Sequence, residues 1–191
     1  MFISTTVGVL FGIIAALRQG KVIDRVVMVA ATLGIAVPSF VVATVSIIIF
    51  SVQLRLLPAY GFDSFAQYIM PGFALSFSSL SFMARLMRSS MLDVIHQDYI
   101  KTAKAKGVRR GFIIFKHALR NAIIPIVTYI GPLSAGILTG SFVVEKIFNI
   151  PGLGRYFVES ITQRDYPTIL GVTIFYGAFL IAMNFLVDLS Y

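Results

Sequence analysis

The sequence predicts an all-α, polytopic membrane protein with about five transmembrane helices. Of its 191 residues, 58% are hydrophobic and only 13% are charged, whereas soluble domains carry about 25% charged residues. The mean hydropathy is +0.89. Apolar runs without charge recur along the chain, and the basic residues gather between them, as is typical of multi-pass membrane proteins.

Five apolar runs supply the predicted spans of a single transmembrane domain. A cleaved signal peptide is the alternative for the first run, but no basic segment precedes that run and no small-residue cleavage pattern follows it. The second run contains Pro38, which predicts a tilt or a kink. The predicted spans are residues 1–17, 26–52, 69–83, 123–144 and 168–187.

The third and fourth runs have compositions that predict close contact with other helices. Residues 76–81 are rich in serine, whose hydroxyl groups disfavour contact with lipid all round the helix. We therefore expect this run either to pack against other helices or to line a path. Gly131, Gly136 and Gly140 recur four or five residues apart in the fourth run. Such spacing favours close backbone approach or bending.

The distribution of basic residues predicts the orientation of the spans. Twelve lie in the loops 18–25 and 85–120, and four lie in the two alternating loops. Under the positive-inside rule, the first and third loops face the cytoplasm. The formal charge of +8 is thus explained by membrane topology, and we expect no nucleic-acid partner.

The residue pattern disfavours a proton-coupled carrier and gives no sign of catalytic chemistry. No predicted span carries an ionisable residue near its middle, so we expect no proton relay or buried ion pair there. The chain lacks cysteine and a GxxxxGK[ST] phosphate loop, and His96 and His117 lack metal-ligand spacing. We therefore predict no catalytic residue, no cofactor and no metal site.

A strongly basic segment, residues 98–125, lies between two spans on the predicted cytoplasmic side. Its first part predicts a short helix, with Asp98 as N-cap or first-turn acid and Gly107 at the C′ position. Ile100, Ala103 and Gly107 would form a narrow small-residue face. From composition alone, an ordinary positive-inside loop near anionic lipid is the alternative.

Two separated motifs carry a family resemblance. DYIKTAKAKG, followed by FKHALRNAIIP, resembles the cytoplasmic coupling motif of ABC importer permeases of the oligopeptide, dipeptide and nickel subfamily. VVEKIFNIPGLGRYFVESITQRDYPTILG, residues 143–171, resembles that subfamily's external segment. The chain is most similar to the B-type subunit, and Lys101, where many other permeases carry glutamate, narrows the match to the peptide subfamily.

The resemblance implies roles for two groups of residues. The first would form the helix that docks on a separate ATPase, over residues 98–107: Tyr99, Ile100, Lys101, Thr102, Ala103, Lys104, Ala105, Lys106 and Gly107. The second group belongs to the external segment, which would contact a binding protein, form a lid or simply make a rigid turn: Glu145, Pro151, Gly152, Gly154, Arg164 and Asp165.

The resemblance also implies an activity and partners. The chain would be a cell-membrane permease subunit of an ATP-driven importer for oligopeptides, dipeptides or a related solute. ATP-binding subunits, a second permease subunit, an extracellular solute-binding protein and membrane lipid would be its partners. The resemblance implies that family members have six spans, with one more N-terminal span than the five predicted here. We therefore expect this chain to be an N-terminally truncated, incomplete permease fold. A non-transporting scaffold and an ATP-independent channel or carrier are the alternatives.

Overall fold

The computed structural model describes residues 1–61, 63–138 and 141–189. The regular elements in this part of the chain are all helical, as the sequence predicts. They are α1 (Phe2–Leu17), α2 (Val22–Ala36), α3 (Ser39–Ser46), the π-helical segment π1 (Ile47–Gln53), α4 (Phe65–Ile95), α5 (Asp98–Ala105), α6 (Arg110–Phe112), the π-helical segment π2 (Ile113–Ala118), α7 (Leu119–Ala122), α8 (Ile124–Leu138), α9 (Phe142–Phe148), α10 (Leu153–Gln163) and α11 (Tyr166–Asp188).

Two described helices are long and apolar enough to cross a membrane, α4 and α11. Two bent pairs raise this number to four if each pair is one span: α2 with α3 and π1, and the α6–α7 region with α8. The helix α1 is apolar but shorter. The count of five spans therefore stays a prediction, while the all-helical membrane fold is confirmed.

Three predicted span boundaries differ from the helix boundaries. The second run, residues 26–52, is broken because Pro38 disfavours helical backbone in the residue before it and begins a new helix. The helix α4 runs well past the predicted end at residue 83, since arginine is a good helix former. In the fourth run α8 ends at Leu138 and α9 begins at Phe142, while Gly140 lies outside the described residues.

The contacts group the chain into two compact units. One, the coupling unit, comprises residues 2–35 and 79–130. The other, the external-segment unit, comprises Met1 with residues 36–78 and 131–191. The two groups of candidate site residues fall into different units, the basic segment in the first and the NIPGLG region in the second.

In the coupling unit, α1 lies directly against α4 through glycine. A Cβ atom on Gly8 would meet the Leu80 carbonyl oxygen at 2.6 Å and the Met83 Cβ at 2.7 Å. At Gly12 the equivalent contacts, to the Ala84 carbonyl oxygen and the Met87 Cβ, are both 2.6 Å. This is the small-xxx-small arrangement that lets membrane helices approach closely enough for backbone packing.

The core of the external-segment unit is small and mixes three parts of the chain. Val42 and Ala43 of α3, Met70 and Ala74 of α4, and Val144 and Phe148 of α9 form its buried cluster. Phe148 is 1% exposed and is among the largest fully buried side chains described. Because α9 is packed in this way, the start of the external segment is fixed by tertiary contact.

The glycine contact predicts that Gly8→Ala and Gly12→Ala each destabilise the coupling unit by about 1–3 kcal/mol, because the added methyl group forces α1 away from α4. The free energy of unfolding is measured in mixed micelles by adding sodium dodecyl sulfate and following the loss of the helical circular dichroism signal. Gly171→Ala in α11, where a Cβ meets nothing within 4 Å, is the matched control and should be neutral or slightly stabilising. Equal midpoints for all three variants would contradict the close contact.

Candidate functional site

The short helix α5 occupies most of the predicted range 98–107. Gln97 is its N-cap and makes no capping bond through its side chain, so Asp98 is the first-turn acid and not the cap. Lys101 Nζ lies 2.9 Å from Asp98 Oδ1, and both side chains are exposed. Such an exposed pair adds little stability, so the helix depends on its other contacts.

The C-terminus of α5 is closed by a Schellman motif at Gly107. The Gly107 N–H donates to the Lys104 carbonyl at 3.0 Å, and the Val108 N–H donates to the Ala103 carbonyl at 3.2 Å. Gly107 has φ +74°, and a Cβ built on it would meet nothing within 4 Å. The position therefore selects glycine for its left-handed backbone and not for space.

Two residues anchor α5 to the coupling unit. Ile100 is fully buried, and Asn121 Nδ2 of α7 donates to Tyr99 Oη at 2.7 Å. Ala103 is half-buried and Gly107 is exposed, so the small-residue face predicted from Ile100, Ala103 and Gly107 does not point one way: Ile100 faces inward.

The remaining side chains of the segment form an exposed surface. Thr102, Ala105 and the basic residues Lys101, Lys104 and Lys106 all lie open to solvent. This surface has a fixed backbone beneath it, because both the Schellman turn and the buried Ile100 hold the helix in place. The arrangement suits docking of another macromolecule and offers no group placed for covalent chemistry.

An ion pair missed by sequence reasoning fastens the coupling unit. Arg88 binds Asp24 with two parallel contacts, Nε to Oδ1 at 2.5 Å and Nη2 to Oδ2 at 2.8 Å. Asp24 is 3% exposed, and its Oδ2 also accepts the Gly20 N–H at 2.8 Å. The pair links the first turn of α2 to α4. It lies outside the middle of every predicted span, so the expectation of no buried ion pair there stays a prediction.

The sequence does not indicate this pair, because other basic residues lie closer to Asp24 along the chain. Asp24 lies among Arg18, Lys21 and Arg25, any of which is closer along the chain than Arg88. The sequence pattern places Arg88 in the loop 85–120, whereas the structure places it inside α4. A bidentate guanidinium–carboxylate contact is strong and directional, and only the fold brings these two side chains together.

In the external segment, the Glu145 carboxylate caps the N-terminus of α10. Its Oε2 accepts the Arg155 N–H at 3.0 Å, so it satisfies one of the free amides of the first helical turn. Glu145 is 9% exposed. A carboxylate is favoured at a helix N-terminus by the helix dipole as well as by the hydrogen bond.

Gly152 and Gly154 leave room for this carboxylate. A Cβ on Gly152 would collide with the Glu145 carboxyl carbon, and one on Gly154 would lie 3.0 Å from Oε2. Pro151 sits in a tight turn in which the Gly152 N–H donates to the Ile150 carbonyl at 3.0 Å. The local geometry is that of the rigid turn predicted as one alternative; contact with a binding protein stays a prediction.

Arg164 and Asp165 form the junction between α10 and α11. Arg164 has φ +56°, and the Asp165 N–H donates to the Ser160 carbonyl at 2.9 Å, which closes α10 with a Schellman turn. Asp165 then caps α11, since Oδ2 accepts the Thr168 hydroxyl at 2.6 Å and Oδ1 accepts the Thr168 N–H at 3.2 Å. These bonds, from the hydroxyl first and the backbone second, lower the pKa of Asp165.

Residues 8–191 match the family model of the binding-protein-dependent transport system inner membrane component. Both motif regions described above lie within this match. The chain belongs to this family. It is therefore a multi-pass protein of the cell membrane, with apolar helices that agree with this location.

Individual relatives are permease proteins of dipeptide, oligopeptide and glutathione transport systems. The chain is 54% identical over 184 residues to the dipeptide transport system permease protein of Bacillus subtilis, which covers 96% of this chain. It is 43% identical to the oligopeptide transport system permease protein of Haemophilus influenzae, covering 98% of the chain. It is 44% identical to the glutathione transport system permease protein of Escherichia coli K12, covering 96%. The chain spans 60–62% of the length of these three relatives.

The Glu145 cap predicts a strong coupling between two substitutions. Gly152→Ala should cost about 1–2 kcal/mol, because its methyl group displaces the carboxylate from the Arg155 N–H. In a Glu145→Ala background the same change should cost much less, since the group it strikes is gone. Chemical unfolding of the four members of this double-mutant cycle in micelles measures both values. Gly177→Ala, at an open position, is the control, and strictly additive energies would contradict the cap.

The Asp165 cap predicts a pH-dependent stability. The ordinary carboxyl pKa is 3.8 and the folded value is lower, so the charged form stabilises the fold above pH 3.8. That contribution disappears as the pH falls through the lowered value. The melting temperature of the wild type should therefore exceed that of Asp165→Asn at pH 7, and the difference should vanish in acid. A difference independent of pH would contradict the charge-based cap.

Proposed function

We propose that this chain acts as the membrane-spanning permease subunit of an ATP-driven importer for peptides. The observation that carries the proposal is α5, an exposed helix whose backbone is fixed at both its buried residue and its C-terminal turn. ATP hydrolysis would occur on a separate subunit, and the chain would perform no chemical step. Peptides are proposed as cargo because the names of the relatives specify dipeptides, oligopeptides and glutathione.

The mechanism we propose is mechanical coupling through α5. A helix held by Ile100 and by the Tyr99–Asn121 hydrogen bond moves with the coupling unit as one piece. Docking an ATPase on its exposed residues would therefore pass rigid-body motion to the helices behind it. Directional transport follows only if the ATPase binds the two states of the permease with different affinities.

The proposed assembly contains further partners. A second permease subunit would complete the path, and ATP-binding subunits would lie beneath on the cytoplasmic side. An extracellular solute-binding protein would deliver the peptide and contact the external segment. Support for that last contact is the exposure of Arg164 together with the rigid support that the Glu145 cap gives to α10.

The natural absence of cysteine allows a direct test by site-specific crosslinking. Ala105→Cys places a single thiol on the exposed side of α5, and Ser64→Cys places one in the exposed loop before α4. In native membranes that contain the ATP-binding subunits encoded nearest to the chain, a short thiol–amine crosslinker should join the first variant to an ATP-binding subunit. The second variant should give no such product.

The outcomes separate the proposed function from its alternatives. A crosslink from Ala105→Cys that changes in yield on adding ATP supports coupling. No crosslink to an ATP-binding subunit, with both variants present in the membrane in equal amount, would favour a scaffold or an ATP-independent channel. A crosslink of equal yield from Ser64→Cys would contradict the assignment of α5 as the docking element.

A further inference from the structure

A groove of about 490 Å³ lies beside α5, at the place where α1 and α4 end. Most of its walls are apolar: Leu17 comes from the last turn of α1, Ile100 from α5, and Ile113 and Ile114 from π2. All of the lining residues belong to the coupling unit. Ile113 is 3% exposed, so the floor of the groove is part of a packed core and not a loose loop.

Two cations lie at this mostly apolar groove, whose lining also includes the polar side chain of Gln19. Lys104 of α5 and Arg110 at the start of α6 both line it, and both are exposed. Within the described residues neither forms an ion pair, in contrast to Lys101, which is paired with Asp98. No aspartate or glutamate is found among the described residues that line the groove. Its charge is therefore positive and uncompensated.

Apolar walls together with a cationic edge favour a ligand that has both an apolar part and a negative charge. A free inorganic anion would gain from Lys104 and Arg110, with Gln19 as a further polar side chain in the lining, but it would leave the apolar side chains that form most of the groove exposed to water. An anionic amphiphile satisfies both parts at once. Membranes provide such molecules at high local concentration, and basic pockets between helices on the cytoplasmic side bind acidic lipid headgroups.

We propose that this groove is a binding site for an anionic phospholipid of the cytoplasmic leaflet. The lipid phosphate would lie between Lys104 and Arg110, and an acyl chain would follow Leu17, Ile113 and Ile114. The site is at the ends of α1 and α4, which the positive-inside rule places at the cytoplasmic membrane surface. The lipid would touch both α5 and the helix ends, and would hold α5 against the membrane. The site requires no ATPase and goes beyond the proposed function.

The absence of tryptophan from the chain makes the site measurable by fluorescence. Ile114→Trp places a single fluorophore in the groove, and Phe175→Trp places one on the exposed surface of α11. Each variant is reconstituted in phosphatidylcholine vesicles that contain either brominated phosphatidylglycerol or brominated phosphatidylcholine. Quenching yields the relative association constant of the two lipids at each position. We expect about a tenfold preference for phosphatidylglycerol at residue 114 and none at residue 175.

A charge-matched pair of variants tests the role of the two cations. In the Ile114→Trp background, Lys104→Gln with Arg110→Gln should reduce the preference to about one. Lys106→Gln with Arg109→Gln removes the same charge from the same segment at residues that do not line the groove, and should leave the preference unchanged. Excess inorganic phosphate should not displace the lipid, because the acyl chain supplies part of the binding.

Several results would overturn the proposal. Equal quenching by the two lipids at residue 114 would show no site, and equal loss in both charge-removed variants would show unspecific attraction to the surface. Complete displacement by inorganic phosphate would show a simple anion site. Circular dichroism establishes that each variant is folded, and Leu17→Trp, in another wall of the groove, serves as an independent reporter.

Discussion

The close contact of α1 with α4 at Gly8 and Gly12 positions much of the coupling unit. Inside a membrane, lipid tails are as apolar as leucine, so helix association depends on van der Waals packing and on polar contacts between helices. The glycines allow close van der Waals packing, and the Asp24–Arg88 pair supplies a polar contact between helices. Because only two residues separate the end of α4 from the start of α5, the placement of the N-terminus of α5 depends on both contacts.

Among the described residues, three helices end in the same way, with one residue in the left-handed region. Gly107 ends α5, Asn149 ends α9 and Arg164 ends α10. In each case the N–H of this residue and the N–H of the next residue donate to carbonyls of the last turn, which satisfies acceptors that would otherwise be free. The chain thereby changes direction within a few residues, and helices as short as α5 and α9 gain defined ends.

The two candidate surfaces are built on different physical principles. In α5 the side chains that we propose as the docking surface are exposed, and buried Ile100 supplies the anchor. In the external segment the informative residues are internal to the turn, since Gly152 and Gly154 both lie against the Glu145 carboxylate. A motif can therefore mark a surface for a partner in one place and a local folding requirement in another, and the contacts of each residue distinguish the two.

The sequence by itself determined the membrane class, the helical fold and the position of α5, because composition and helix-end signals are local properties of the chain. It also indicated Gly107 as a C′ residue, since a left-handed helix end favours glycine. Only the tertiary structure decided that Asp24 pairs with Arg88, 64 residues away, and that the Glu145 carboxylate caps α10. The same holds for the groove beside α5. Its walls come from separate helices, and contacts between distant segments leave no periodic pattern in a single sequence.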